Sequence, residues 1–394
     1  MPPDSPPARA ENAPTAALAG EEKAKAVSLT PPEAARLVSL DAFRGFIMFW
    51  IIGGEAIADG LQALTRNPLT NALVYELRHT PWQGLRFYDC IWPSFMLMVG
   101  ISIPFSLAKR SLTQNSRQLL WHAVKRTAVL FLLGSVRESV SLSSPYLIEL
   151  SSALQPIAIA YLVAFLLART SAKVQALVAA LILAGYALLL ALVPAPGIPA
   201  GTYALNHNLV NAVDVALLRE HWMRWPYAPE GWGTILSTLP TISTTLLGLL
   251  IGVTLRSGRA ARAKLRFLGG AALVCLAAGY AISPFVPIVM KMWTTSYGLV
   301  SAGWACLMFL IFYVIVDVWS HRKWTFPFVI IGANAVFIYM FTSILPVYHL
   351  VGIFTEGIAA ALGSGGPLFS AACVLAAEWL LLFWMYRRKL FLRA

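Results

Sequence analysis

The stretch LDAFRGFIMFWIIGGEAIA, residues 40–58, decides the fold. Apart from Asp41, Arg44 and Glu55 it is apolar or small throughout, with no turn-forming cluster to interrupt it. A helix of that length rises about 28 Å at 1.5 Å per residue, close to the roughly 30 Å of a bilayer's hydrocarbon core. Comparable apolar stretches follow at 87–108, 121–136, 148–168, 173–193, 235–255, 266–283, 297–317, 326–346 and 367–386. The expected fold is therefore an all-α integral membrane protein, a polytopic bundle of about ten transmembrane helices with both termini cytoplasmic. Residues 350–362, between Pro346 and the run 363–367, read as a short re-entrant or interfacial piece.

Composition excludes other classes. Hydrophobic residues make up 58% and charged residues 12% of the chain; a soluble domain carries about 25% charge. Residues 1–35, rich in Pro, Ala, Glu and Lys, read as a disordered cytoplasmic tail rather than a signal peptide, leaving 36–394 as one transmembrane domain. The net charge of +12 could suggest a nucleic-acid partner, but the basic residues gather at span ends, so none is expected. Of 30 Lys and Arg, 22 fall on the side assigned to the cytoplasm and 7 outside, with Arg44 inside the first span. That asymmetry sets the orientation. Cys90, Cys275, Cys306 and Cys373 show no CxxC spacing, so neither a disulfide framework nor a metal site is expected.

Charge inside a bilayer is costly and marks places to look for chemistry. At about 100° per residue, Asp41, Arg44 and Glu55 share one helix face, with Glu55 about 16 Å further out than Arg44. Asp41 and Arg44 can also form an i,i+3 anchoring pair; Glu55 has no local partner in sequence. The second span opens with Arg86 and Asp89, and His79 stands ten residues before Asp89 on the outer side. A histidine there, beside Trp82 and carboxylates at membrane depth, suits proton transfer near neutral pH. Two outer loops are long, 59–86 and 194–234. The second carries His207, His221, Trp222, Trp225, Tyr227 and Trp232, aromatics that suit either sugar stacking or an interfacial belt. Gln155, Ser237, Thr238 and Asn334 are polar groups able to bridge helices. Signatures of nucleotide, serine or zinc hydrolysis are absent.

Several segments together resemble a known family. LDAFRGFIMFWIIGGE (40–55), RHTPWQGLRFYDCIWPSFMLMVG (78–100), NAVDVALLREHW (211–222), PEGWGTILSTLP (229–240), KMWTTSY (291–297), GANAVFIY (332–339) and YRRKLF (386–391) are similar to the heparan-alpha-glucosaminide N-acetyltransferase family and its shorter bacterial homologues. The resemblance runs from about 37 to 391. It implies acetyl transfer from cytosolic acetyl-CoA to an amino sugar such as glucosamine on the far side of a bacterial inner membrane, by a homodimer. The family's catalytic histidine, in an HxxWxG motif, falls on His79. Two departures stand out: Glu55 occupies a position held by asparagine in the lysosomal member, and a Leu-Gln-Arg reads Leu154-Gln155-Pro156 here.

On this reading His79 is the general base, with Asp89 or Glu55 orienting it or holding the sugar ammonium. Arg44, Lys125, Arg126, Gln155 and Asn334 face the coenzyme, and Trp82, Trp225 and Trp232 face the sugar. An acetyl-histidine intermediate is the rival mechanism and predicts ping-pong kinetics. Two other classes fit part of the pattern: an O-acyltransferase of envelope glycans, and a sugar or amphiphile transporter. Against transport, the sequence has neither an inverted repeat nor a pair of broken helices.

Overall fold

Long apolar runs without water must satisfy their backbone groups internally, which a helix does. The computed structural model describes residues 37–64, 67–141, 153–218 and 234–392, with 143, 145, 147, 148 and 150. Its helices are α1 (Val38–Leu64), α2 (Pro68–Glu76), α3 (Ile91–Arg110), α4 (Ser116–Ser141), α5 (Leu154–Leu167), α6 (Ala172–Leu192) and α7 (Leu209–Leu218). They continue with α8 (Ile235–Arg256), α9 (Ala261–Ile282), α10 (Thr295–Phe312), α11 (Phe326–Ala333), α12 (Ala335–Ile344), α13 (Val347–Ala361) and α14 (Gly366–Arg387). A two-residue hairpin, Tyr203–Ala204 against His207–Asn208, is the sheet among the described residues. The protein is an all-α polytopic membrane protein.

Eight helices among the described residues are long and apolar enough to cross a bilayer: α1, α3 with its preceding turn, α4, α6, α8, α9, α10 with its π-helical extension, and α14. Two of the expected spans take another form. The run 326–346 is broken at Asn334, where α11 and α12 meet at a 62° bend; counted as one, they make a ninth candidate. The run 148–168 holds only the 14-residue α5, about 21 Å of helix. Leu150 just before it has φ +52°, a left-handed conformation that a helix cannot contain. The run 121–136, the shortest in sequence, sits inside the 26-residue α4. The stretch 350–362, expected to be interfacial or re-entrant, falls largely in α13, an apolar helix of 15 residues with none buried.

The centre is α3 packed on α8. In the most apolar stretch of α8 72% of residues are buried, against 17% in α6, which faces outward. Small residues let α3 and α8 approach: a Cβ on Gly100 would stand 2.0 Å from the Thr245 carbonyl oxygen, and one on Gly248 2.1 Å from that of Leu97. Several hydroxyls of α8 bond back along the helix, as in Thr238 Oγ1 to the Thr234 carbonyl at 2.7 Å, while Ser243 Oγ reaches the Ala179 carbonyl of α6. The expected tail, 1–35, lies outside the described residues.

Candidate functional site

Between α1 and α3 the chain cannot stay helical. Asn67 and Thr70 form a reciprocal capping box that starts α2, and Pro68 fills its first position. After α2, Pro81 and Gly84 prevent a further turn. Gly84 has φ +123°, open to glycine, and its N–H donates to the Ile288 carbonyl at 2.9 Å. Gln83 bridges Val289. The loop 77–87 is thereby stitched to the segment leading into α10, and His79 is carried back over the start of α3.

There His79 meets Asp89. His79 Nδ1 and Asp89 Oδ1 are 2.8 Å apart. Asp89 also accepts from Thr80 Oγ1 (2.6 Å), the Thr80 N–H (3.3 Å) and the Arg86 N–H (2.9 Å). An ionised carboxylate is acceptor-only, so four donors match it. Its side chain is fully enclosed while that of His79 is 37% exposed. The pair is thus anchored on the protein side and open on the imidazole side. Holding Nδ1 as the donor puts the ring's basic lone pair on Nε2.

The remaining neighbours fix this geometry. Arg86 meets Asp89 through its backbone N–H and not through its side chain. Its guanidinium donates to the His79 carbonyl at 3.0 Å and lies over the Tyr75 ring at 3.9 Å. The Phe87 N–H donates to Glu76 Oε2 at 2.8 Å. Tyr297 Oη donates to the Asp89 carbonyl at 2.7 Å from across the bundle. Below it Trp293 packs edge-on against both Tyr297 and Trp92, at 5.4 and 4.8 Å, with its own backbone at φ +48°. A non-glycine residue held there costs of order 1–3 kcal/mol and marks a site to examine.

Of the other expected residues, Glu55 is the one drawn towards this end. It is exposed on α1 and acts electrostatically on Tyr88, whose ring packs on His79 at 4.7 Å. Trp82 donates from Nε1 to the Tyr203 carbonyl at 2.8 Å, fastening the hairpin to the loop. The Tyr203 hydroxyl is buried with no partner among the described residues, and burial pushes its pKa up. Trp225 and Trp232 lie outside the described residues.

The residues assigned to the coenzyme do not gather in one place. Arg44 reaches Asp41 Oδ1 at 3.3 Å, the anchoring pair, and Ser102 Oγ at 3.1 Å, tying α1 to α3. Gln155 is fully buried and donates to Ser135 Oγ and the Leu147 carbonyl while accepting from the Leu150 N–H. Asn334, at the break between α11 and α12, donates to the Leu390 carbonyl and accepts from the Leu392 N–H. Both amides therefore hold the chain to itself. Lys125 is exposed, and Arg126 lies 4.6 Å over the Tyr161 ring, near the far end of α3 from His79.

Several residues of the site carried no individual signal in sequence. Tyr88 and Thr80 adjoin residues already singled out, so proximity could have found them. Tyr297 sits 208 residues from Asp89, where only the KMWTTSY resemblance pointed. Glu378, midway along α14, is 3% exposed, and its Oε2 has no hydrogen-bond partner among the described residues. It was the one carboxylate in the stretch 367–386 and could have been read as such.

No protein-family model matches the chain, and no curated protein matches it. Fold and site define a class: a polytopic helical membrane protein with an enclosed Asp–His pair presenting its imidazole at one end.

Proposed function

We propose that the protein is a transmembrane N-acetyltransferase of a bacterial inner membrane. It moves acetyl from cytosolic acetyl-CoA to the amine of glucosamine or a related amino sugar on the periplasmic side. In this reading the chain crosses ten times, with α5 and the bent α11–α12 pair each counted as a span and both termini cytoplasmic, and it works as a homodimer. The observation that carries it is the 2.8 Å contact between His79 Nδ1 and the enclosed Asp89, the arrangement that makes an imidazole a directed base. The HxxWxG resemblance around His79 supports the same assignment.

The sugar amine is an ammonium at neutral pH and must first lose a proton, which passes to solvent water. The amine nitrogen then attacks the thioester carbonyl carbon. His79 Nε2 takes the second N–H proton as the C–N bond forms, and Asp89 stabilises the resulting imidazolium. When the C–S bond breaks, the imidazolium returns its proton to the departing thiolate. Substrate amine and thioester thus become amide and thiol, and the histidine ends as it began. Glu55, reaching the site through Tyr88, holds the ammonium before deprotonation. The thioester reaches this end of the bundle with the coenzyme's phosphates left among bases at the other, such as Arg44, Lys125 and Arg126.

Purified protein incubated with labelled acetyl-CoA and glucosamine is expected to give labelled N-acetylglucosamine, and His79→Ala is expected not to. Transfer by both proteins would remove His79 from the mechanism. Labelled protein recovered without acceptor would favour an acetyl-histidine intermediate instead. One observation favours a second reading, transport: the 62° break at Asn334 is a feature of transporter cores. Sugar counterflow into liposomes without acetyl-CoA would support it, and its absence together with acetyl transfer would dismiss it.

A further inference from the structure

At the end of α3 remote from His79, four basic side chains converge. Arg110 is in the last turn of α3, and His122, Lys125 and Arg126 occupy successive turns near the start of α4. All three of the other bases act electrostatically on His122, so they share one locality. Arg110 and His122 line a small cleft between α3, α4 and α5 that opens to the surface. Tyr161 of α5 forms its far wall and carries the Arg126 guanidinium at 4.6 Å. Arg110 Nε donates to Ser106 Oγ at 3.4 Å, which holds its side chain along the cleft.

What is missing is a counter-charge. None of the four is in an ion pair among the described residues, and Arg126 Nε is buried without a hydrogen-bond partner. Like charges brought together repel, so an arrangement of this kind is stabilised by an anion from outside. The donors are directional guanidinium and point-like ammonium groups, the set that recognises phosphate oxygens. Leu112, two residues after Arg110, and Trp121, just before His122, are 80% and 68% exposed, as residues at a membrane–water boundary are. Basic pockets between transmembrane helices at such a boundary take lipid phosphates.

We propose that Arg110, His122, Lys125 and Arg126 form a phosphate-binding site between α3, α4 and α5. It takes either the phosphate of an anionic phospholipid headgroup or that of a soluble nucleotide; only the nucleotide source rests on the proposed acetyl transfer.

The test uses the full chain purified in detergent, with neither acetyl donor nor acceptor present. One arm follows retention of phosphatidylglycerol by native mass spectrometry, and the other follows adenosine 3′,5′-bisphosphate by titration calorimetry. Both are repeated with Arg110→Gln/Lys125→Gln and with Arg262→Gln, a basic residue of α9, as control. The double variant is expected to bind one of the probes about thirtyfold more weakly, the loss expected from two phosphate-facing charges, while Arg262→Gln binds as wild type. Loss confined to the lipid arm assigns a headgroup, and loss confined to the nucleotide arm assigns a soluble phosphate. Equal binding by wild type and double variant in both arms, or no binding of either probe, would overturn the site. If the double variant melts well below wild type, competition by inorganic phosphate against the wild-type complex decides. Displacement supports the site and indifference overturns it. Because no turnover is measured, failure here leaves acetyl transfer standing, and failure of acetyl transfer leaves the lipid-headgroup source of this site standing.

Discussion

The two ends of α3 treat charge in opposite ways. At one, Asp89 is enclosed and accepts hydrogen bonds from His79, Thr80 and the Arg86 backbone, with Tyr297 fixing its carbonyl. At the other, Arg110, His122, Lys125 and Arg126 crowd together with no carboxylate paired to them among the described residues. A group that must direct a proton needs its orientation fixed beforehand, so its partners are built in. A group that must hold an incoming anion needs its donors unsatisfied until the anion arrives. The helix of about 30 Å that separates the two is the distance a two-sided reaction has to span.

Substitutions at the two ends should therefore fail differently. The largest effect is expected from His79→Ala, which removes the proposed base. Acetyl transfer to glucosamine should fall by about 10²–10⁴-fold with melting temperature and coenzyme affinity unchanged, measured by steady-state kinetics beside a thermal melt. Asp89→Asn comes next, with an expected loss of about ten- to a hundredfold in kcat, since the imidazole loses its orienting anion. Because Asp89 accepts from backbone N–H groups, this variant should also lose about 1–3 kcal/mol of stability, which His79→Ala should not. Parallel denaturation of the two variants separates orientation from base chemistry. At the basic end, Lys125→Gln should raise KM for acetyl-CoA about fivefold with kcat retained. A fall in kcat there instead would erase the contrast between the ends. The smallest effect on activity is expected from Glu378→Leu. It replaces a buried carboxyl with an unpartnered oxygen, so kcat should hold while the melting temperature rises by a few degrees.

Much of this was legible in the sequence because a bilayer imposes simple rules. The first span and the loop from His79 to Asp89 could be read directly, since charge at membrane depth is rare and carries meaning. What escaped was set by tertiary packing. The stretch 326–346 is apolar enough on average for one span, yet at Asn334, with its amide tied to Leu390 and Leu392, the chain turns by 62°. Leu150, inside the stretch 148–168, has a left-handed backbone and its N–H bonds the Gln155 side chain, so α5 begins only at Leu154. Tyr297 reaches Asp89 only because α10 packs on α3, a juxtaposition without local sequence signal. Glu378 was missed for a different reason: one carboxylate does not disturb the mean apolarity of a span.

The measurement closest to the central claim is transfer across a sealed bilayer. Protein reconstituted in one orientation would be given labelled acetyl-CoA only at the basic end and glucosamine only at the His79 end. The account predicts labelled N-acetylglucosamine on the His79 side, lost in His79→Ala. Product formed only when both substrates share one compartment, or equal product from His79→Ala, would contradict it.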